Sequence, residues 1–322
     1  MRAPILEAMA AATDSLAAEH RILTEACGLL DRSERGKLAL TGPEAKPFLH
    51  GQVTNDIEGL SPGTGCYAAF LSHKGKMQGD LRVLDVGNEL WLDTERETLQ
   101  SLFTMIHRYK LGSDLELHKR TLQQGLLSLI GPDARAVAGA EDLPQAEHRN
   151  AHGEVDGIPV LFVATDVGVD LVVDAERTSA LADALRARGA RDVGEDAAEA
   201  LRVERGRPRF GRDMDDSTIP QEAGINQRAV SFTKGCYVGQ ETVARLHYRG
   251  KPNRHLRGLE LTGPAEPGAE LRLGDKVVGR LGTVAGRRAL AIVRREAEPG
   301  AAVTVGDGET TAEVVELPFG DG

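Results

Sequence analysis

Strand-like runs of apolar residues recur along this chain, and two of them end in the same punctuation. Residues 38–49 read L-A-L-T-G-P-E-A-K-P-F-L, and residues 127–138 read L-S-L-I-G-P-D-A-R-A-V-A. Each copy predicts a strand that stops at Gly42 or Gly131. A helix follows whose first turn holds the proline, where a missing N–H costs nothing. Glu44 or Asp133 comes next, suited to the positive end of the helix dipole. A second echo follows each copy. Leu81–Asp93 alternates about Gly87-Asn88, which predicts a hairpin. It runs into a helix over Thr94–Leu111, with Leu99, Leu102, Phe103, Ile106 and Tyr109 on one face and Gly112 as cap. Pro159–Asp174 predicts a hairpin broken at Asp166–Gly168. A helix over Ala175–Arg188 follows, with Leu181 and Leu185 inward and Gly189 capping. The helix entries also match, W-L-D-T-E-R at 91–96 against V-V-D-A-E-R at 172–177. Gly-Pro-acid is a common helix start; the two echoes together predict a pseudo-symmetric pair of α+β units.

After Arg254 the helical period disappears. Leu256–Leu261, Glu270–Leu273, Lys276–Thr283, Ala289–Val293, Ala302–Val305 and Ala312–Leu317 are short strand-like runs between turns rich in Gly, Pro and Asp. They predict a small antiparallel barrel or sandwich, with Phe319–Gly322 as a loose tail. At the other end, Met1–Asp14 carries Glu7 within its apolar stretch, which favours an amphipathic helix over a cleaved signal. The expected division is 1–26 as an N-terminal helical segment, 27–122 and 123–253 as the two α+β units, and 254–322 as the barrel.

Composition narrows the function classes. The 322 residues carry a net charge of −10, with 41% hydrophobic and 27% charged residues. Such a chain lacks the basic surface that a general nucleic-acid binder needs, so no direct nucleic-acid partner is expected. No apolar run approaches the roughly 20 residues of a membrane span. Cys27, Cys66 and Cys236 are odd in number and widely spaced, and none forms C-x-x-C. They point to a reducing, cytoplasmic setting and offer neither a disulfide framework nor a self-contained zinc or iron–sulfur site. The histidines form no H-x-x-x-H pattern, and no metal site is expected. The absence of heptads or a long apolar stripe favours a monomer.

Lys234–Glu241, K-G-C-Y-V-G-Q-E, is the stretch richest in chemistry. Lys234 stands two residues before Cys236, and an ammonium favours the reactive thiolate. Gly235 and Gly239 let backbone approach the thiol closely. Gln240 and Glu241 are suited to orienting the loop by hydrogen bonds, and Tyr237 to core packing. The plainer reading is a tight turn with a small buried cysteine. In L-R-V-E-R-G-R-P-R-F-G-R-D-M at 201–214, Leu201 and Val203 alternate with polar residues. Glu204 then sits among five arginines. This is either a solvated basic loop or a carboxylate able to accept two N–H donors from a planar heterocycle. Asn55 and Asp56 in H-G-Q-V-T-N-D-I either cap a turn or line a site. Ser72–Val83 is a loop leading into a strand. No phosphate loop, dinucleotide fingerprint or nucleophile elbow is present, which removes nucleotide-driven chemistry and serine hydrolysis.

The octamer at 234–241 resembles the signature of YgfZ-type proteins, the folate-binding branch of the glycine cleavage T-protein superfamily. Mitochondrial iron–sulfur assembly factors of that superfamily carry a similar motif. Supporting matches are residues 38–57, the Glu204 segment, I-P-Q-E-A at 219–223 and V-A-R-L-H-Y-R-G at 243–250. The resemblance implies an α+β fold of two related units plus a C-terminal antiparallel β-barrel, arranged as a three-domain ring about a tetrahydrofolate-like ligand. It implies that Glu204 contacts the pterin, and that Asn55, Asp56 and Arg245 belong to the folate site. It implies a folate-binding accessory protein for iron–sulfur cluster assembly or repair, indirectly supporting tRNA modification. Its partners would be iron–sulfur client proteins, and Cys236 a redox-active thiol or transient cluster ligand. The alternative is a tetrahydrofolate-dependent aminomethyltransferase. Such enzymes place a catalytic aspartate in a G-G-x-x-D-D-L context. Here the run is G-K-M-Q-G-D-L, with Asp80 at the second aspartate and Gly79 at the catalytic one.

Overall fold

The computed structural model describes residues 15–320. The amphipathic helix expected for Met1–Asp14 lies outside them. Among the described residues no helix is long and apolar enough to cross a membrane. The chain gathers into two compact units. One comprises residues up to Arg35, Gly63–Gly65 and Lys119–Leu201; the other comprises Gly36–Pro62, Cys66–His118 and the chain from Arg202 onward.

The two Gly-Pro copies build the same local structure. The strands Gly36–Thr41 and Gln124–Ile130 end at Gly42 and Gly131, whose φ angles are 103° and 125°. Only glycine enters this region without strain. In both copies the chain then tightens into a helix, with Ala45 N–H donating to Gly42 O and Ala134 N–H to Gly131 O. The acid of each copy donates its backbone N–H to an incoming segment, Glu44 to Asp114 O and Asp133 to Ala26 O. The proline precedes the helices Ala45–Gln52 and Ala134–Ala138 instead of lying in their first turn.

Each copy has a sheet of its own. Gln124–Ile130 pairs with Gly168–Asp174, which pairs with Ile158–Ala164, and that strand with Asn150–Val155, all antiparallel. Gly28–Asp31 lies on its other side, followed by the parallel strand Arg191–Asp192. In the other unit the order is Thr64–Leu71, Met77–Asp85, Leu90–Thr94, Gly36–Thr41, Glu116–Lys119. The hairpins fall about Gly87 and Asp166–Gly168 as the alternation predicts. The helices are shorter than expected: Leu99–Tyr109, and Thr178–Ala187 after a 3-10 turn. Leu102, Ile106, Leu181 and Leu185 point into the cores, while Tyr109 is 41% exposed.

The six predicted late strands close into an antiparallel barrel, Arg254–Leu261 through Thr310–Val315. Leu259, Leu271, Val293, Val303 and Val314 fill its interior. The loose tail is corrected at Phe319. Its ring is 8% exposed and packs with Val203, Leu256 and Leu290 against a surface that bare Gly258 leaves open.

Candidate functional site

Two motifs far apart in sequence meet in the second unit. The Ala45–Gln52 helix ends in a turn whose carbonyls point outward, and Lys234 covers them. Its ammonium donates to His50 O, to Val53 O at 2.8 Å and to Asn55 O at 3.0 Å. Val238 N–H reaches Gly51 O at 3.3 Å, and Ser231 N–H reaches Thr54 O at 3.0 Å. A helix C-terminus leaves carbonyls without partners, and a cation there also faces the favourable end of the dipole. Lys234 is therefore committed to backbone, and its ammonium lies 5.0 Å from the Tyr237 ring centroid. Burial pulls it down to about 8, while Asp56, Cys66 and Glu58 hold it up. Burial pushes the Cys66 thiol up to about 12, against the pull of Lys234.

The rest of the octamer anchors the loop. Tyr237 is buried with Ala69, Leu71, Met77, Ile225, Val230 and Val243, and burial pushes its phenol up to about 12. Gly239 takes φ 84° ahead of the helix Gln240–Arg249. A Cβ there would lie 2.5 Å from Ser72 O. Gly75 faces it, with a Cβ position 2.7 Å from Thr242 Cβ. Residues 72–76 and the octamer are thus pressed together by paired glycines. Gly235 lies beside His50. Glu241 and Arg245 are exposed on the following helix, and Gln240 N–H bonds Tyr237 O. Cys236 is exposed, against the plainer reading of a buried cysteine.

Asn55 ties three segments. Its amide donates to Tyr67 O at 2.8 Å and Arg228 O at 3.0 Å, and its oxygen accepts from Asp56 N–H. Asp56 accepts from Gly59 N–H and faces His50 Nδ1 at 3.3 Å. Both side chains therefore serve the turn. Above it, the Tyr67 hydroxyl donates to Asp80 Oδ2 at 2.5 Å, with the Arg228 guanidinium 5.1 Å from the ring centroid. Burial raises the Tyr67 phenol well above its ordinary range, and the Asp80 carboxylate adds to this.

Strand parity gives Gly79 and Asp80 different surroundings. Leu81 and Val83 belong to the apolar core, and Gly79 shares their face. A Cβ on Gly79 would lie 2.5 Å from the Phe70 ring. Side chains alternate along a strand, so Asp80 lies on the opposite face, with Arg82 and its Asp93 partner. Tyr67, Asp80 and Arg228 carried no distinguishing sequence pattern as a group, because their contact depends on two strands pairing and on the distant helix Asn226–Ala229 packing against them.

Glu204 ends the helix Glu195–Glu204, so the apparent alternation at Leu201 and Val203 is helical. Gly206 at φ 64° closes it, with Arg207 N–H bonding Arg202 O and Gly206 N–H bonding Val203 O. This is a Schellman cap. The basic stretch is not a solvated loop throughout. Arg202 pairs with the fully buried Asp213 at 2.7 Å, and Arg209 pairs with Glu95 at 2.8 Å. Glu204 Oε1 lies 3.0 Å from Arg288 Nη1, and its carbonyl accepts from Phe319 N–H.

Residues 6–234 match the model of the GCVT N-terminal domain, and residues 254–317 match the CAF17 C-terminal β-barrel domain. The chain belongs to the GCVT family. Its sequence is 29% identical over 307 residues to a chloroplastic candidate transferase of Arabidopsis thaliana, covering 90% of this chain and 71% of that one. It is 28% identical over 319 residues to the aminomethyltransferase of Rubrobacter xylanophilus, covering 94% and 85%. The crystal structure of glycine cleavage system aminomethyltransferase T from Bartonella henselae superposes with a TM-score of 0.83 at 23% identity, covering 95% and 89%. The GCVT-family fold is thereby shared. The GCVT match stops at Lys234 and the barrel match begins at Arg254, so Gly235–Asn253 lies between them.

Proposed function

We propose that this GCVT-family protein is a folate-binding accessory protein of the YgfZ type, presenting Cys236 to iron–sulfur client proteins. The observation that carries this reading is an exposed thiol on a loop fixed at both ends. Lys234 staples one side to three carbonyls, and Gly239 seats the other against Ser72. Such rigidity keeps a reactive group presented in one geometry. Among the described residues no group of three or more His, Cys, Asp or Glu side chains could hold a metal ion. A cluster at Cys236 is therefore cargo, completed by ligands from the client.

Unpartnered acceptors beside the segments that hold this loop support the folate reading. Gln52 Oε1 and Asn226 Oδ1 are buried without a hydrogen-bond partner. Buried acceptors call for N–H donors, and a pterin edge carries them. Glu204, oriented by Arg288, offers a carboxylate for the same kind of edge.

A second reading, aminomethyl transfer to tetrahydrofolate, is favoured by the Tyr67–Asp80 pair. An aspartate at position 79 would point at Phe70, so Gly79 does not count against a transferase. Asp80, held by a phenol, is a carboxylate suited to orienting an amine or carrying its proton.

Complementation separates the two. In a strain lacking its own YgfZ-type protein, activity of a [4Fe–4S] enzyme should return with the wild-type chain and not with Cys236→Ala. Equal rescue by both removes the thiol from the mechanism. Purified protein that forms methylene-tetrahydrofolate from an aminomethyl donor, and loses this with Asp80→Asn, would establish the second reading instead.

A further inference from the structure

A cavity of about 550 Å³ lies in the second unit, and none of its lining residues is among those assigned above to the folate or thiol chemistry. Residues 211–218 form one wall. The outer face of the barrel strands Lys276–Ala285 and Arg288–Arg294 forms the other. Its volume falls in the range of small-molecule sites.

The charge of the lining is uneven. Arg212, Arg254, Arg280 and Arg294 border the cavity, against Asp213 and Asp215, and of these arginines Arg254 is paired with Glu222 and Arg280 with Glu270. Both carboxylates are already satisfied. Asp213 accepts from Arg202, Arg209 N–H and Thr283 N–H. Asp215 accepts from the Ser217 N–H and hydroxyl and the Thr218 hydroxyl.

Arg254 and Arg294 stand directly opposite each other on paired antiparallel strands. Facing cross-strand residues hold their Cβ atoms about 5 Å apart, and like charges there repel. Arg254 spends Nε and Nη2 on Glu222 and Ser217 O, leaving Nη1. Arg294 is exposed and forms no ion pair with the described residues. Glu222 offsets the Arg254 charge, so an anion between the two guanidiniums would accept from Arg254 Nη1 and from the Arg294 fork, whose planar donors match carboxylate and phosphate oxygens. Beside them, Val277, which is 38% exposed, and the partly exposed Ile292 supply apolar surface.

We propose that this cavity binds a small organic anion whose carboxylate or phosphate is held by Arg254 and Arg294 and whose apolar body rests on the barrel wall. Calorimetric titration of the full chain with phthalate, phenyl phosphate and inorganic phosphate, at matched ionic strength, tests this. Phthalate or phenyl phosphate should bind, and the better of the two identifies the anionic group. Inorganic phosphate should bind at least tenfold more weakly, for lack of an apolar body. Arg294→Ala should weaken the organic anion at least tenfold with an unchanged melting temperature. Val277→Trp, filling the cavity from its apolar side, should weaken it similarly. Absence of binding by both organic anions, binding unchanged in Arg294→Ala, or inorganic phosphate binding as well as they do would each overturn the proposal.

Discussion

Lys234 shows how one side chain can serve structure and chemistry together. Its removal in Lys234→Met would strand three carbonyls at the end of a helix. Unsatisfied groups of this kind cost about 1–3 kcal/mol each when buried, less where water reaches them. A loss of roughly 2 kcal/mol in denaturant unfolding is expected. Cys236→Ala, at an exposed position, should stay within about 0.5 kcal/mol of wild type. That contrast matters for complementation, because loss of rescue by Cys236→Ala would then report chemistry and not instability. The lysine also predicts a pH dependence. Its folded value of about 8 lies below the ordinary 10.5. Between those values the unfolded chain binds the extra proton, so stability rises with pH. The penalty is complete below about pH 8 and gone above the ordinary lysine value. The unfolding free energy of wild type minus that of Lys234→Met should therefore increase across that window; a flat difference would contradict burial as the cause.

At the scale of elements, the strand Met77–Asp85 and the Gly239 turn decide what the site residues can do. Parity assigns Gly79 to the apolar face and Asp80 to the opposite face. Gly79→Asp would drive a carboxylate towards Phe70, and a loss of about 3 kcal/mol or more, or failure to fold, is expected. A stable Gly79→Asp protein with new transferase activity would contradict this geometry. Gly239 combines a positive φ with a Cβ position 2.5 Å from Ser72 O. Gly239→Ala should cost about 2 kcal/mol, since left-handed backbone strain adds to the contact. It should also raise the hydrogen-exchange rate of Val238 and Gln240 amides, as the loop leaves its seat.

For the whole molecule, the notable feature is how distant segments complete each other's cores. Tyr237, Val230 and Val243 bury against Ala69, Leu71 and Met77, more than 140 residues earlier in the chain. A fragment of residues 202–322 alone would expose that cluster. It should bind a hydrophobic dye and be cleaved rapidly between residues 214 and 243, while the full chain resists. Local patterns were legible wherever neighbours in sequence are neighbours in space. The strand ends at Gly42 and Gly131, both hairpins and the six barrel strands follow from alternation and from glycines needing positive φ. Phe319 was misread because its burial depends on Gly258 and Val203, which nothing nearby announces. The octamer's exposed thiol and its link to residues 50–55 likewise required pairing over long separations, and the contact of Tyr67 with Asp80, 13 residues on, required two neighbouring strands to pair. Sequence by itself determined the family resemblance, the repeated α+β units and the barrel, because backbone propensity and periodicity are local properties. Tertiary structure alone decided that Lys234 is a staple, that Asp80 and not position 79 meets Tyr67, and that the arginines divide between buried pairs and an open cavity. Those outcomes depend on which polar groups lose water together, and that is fixed only when distant strands pack.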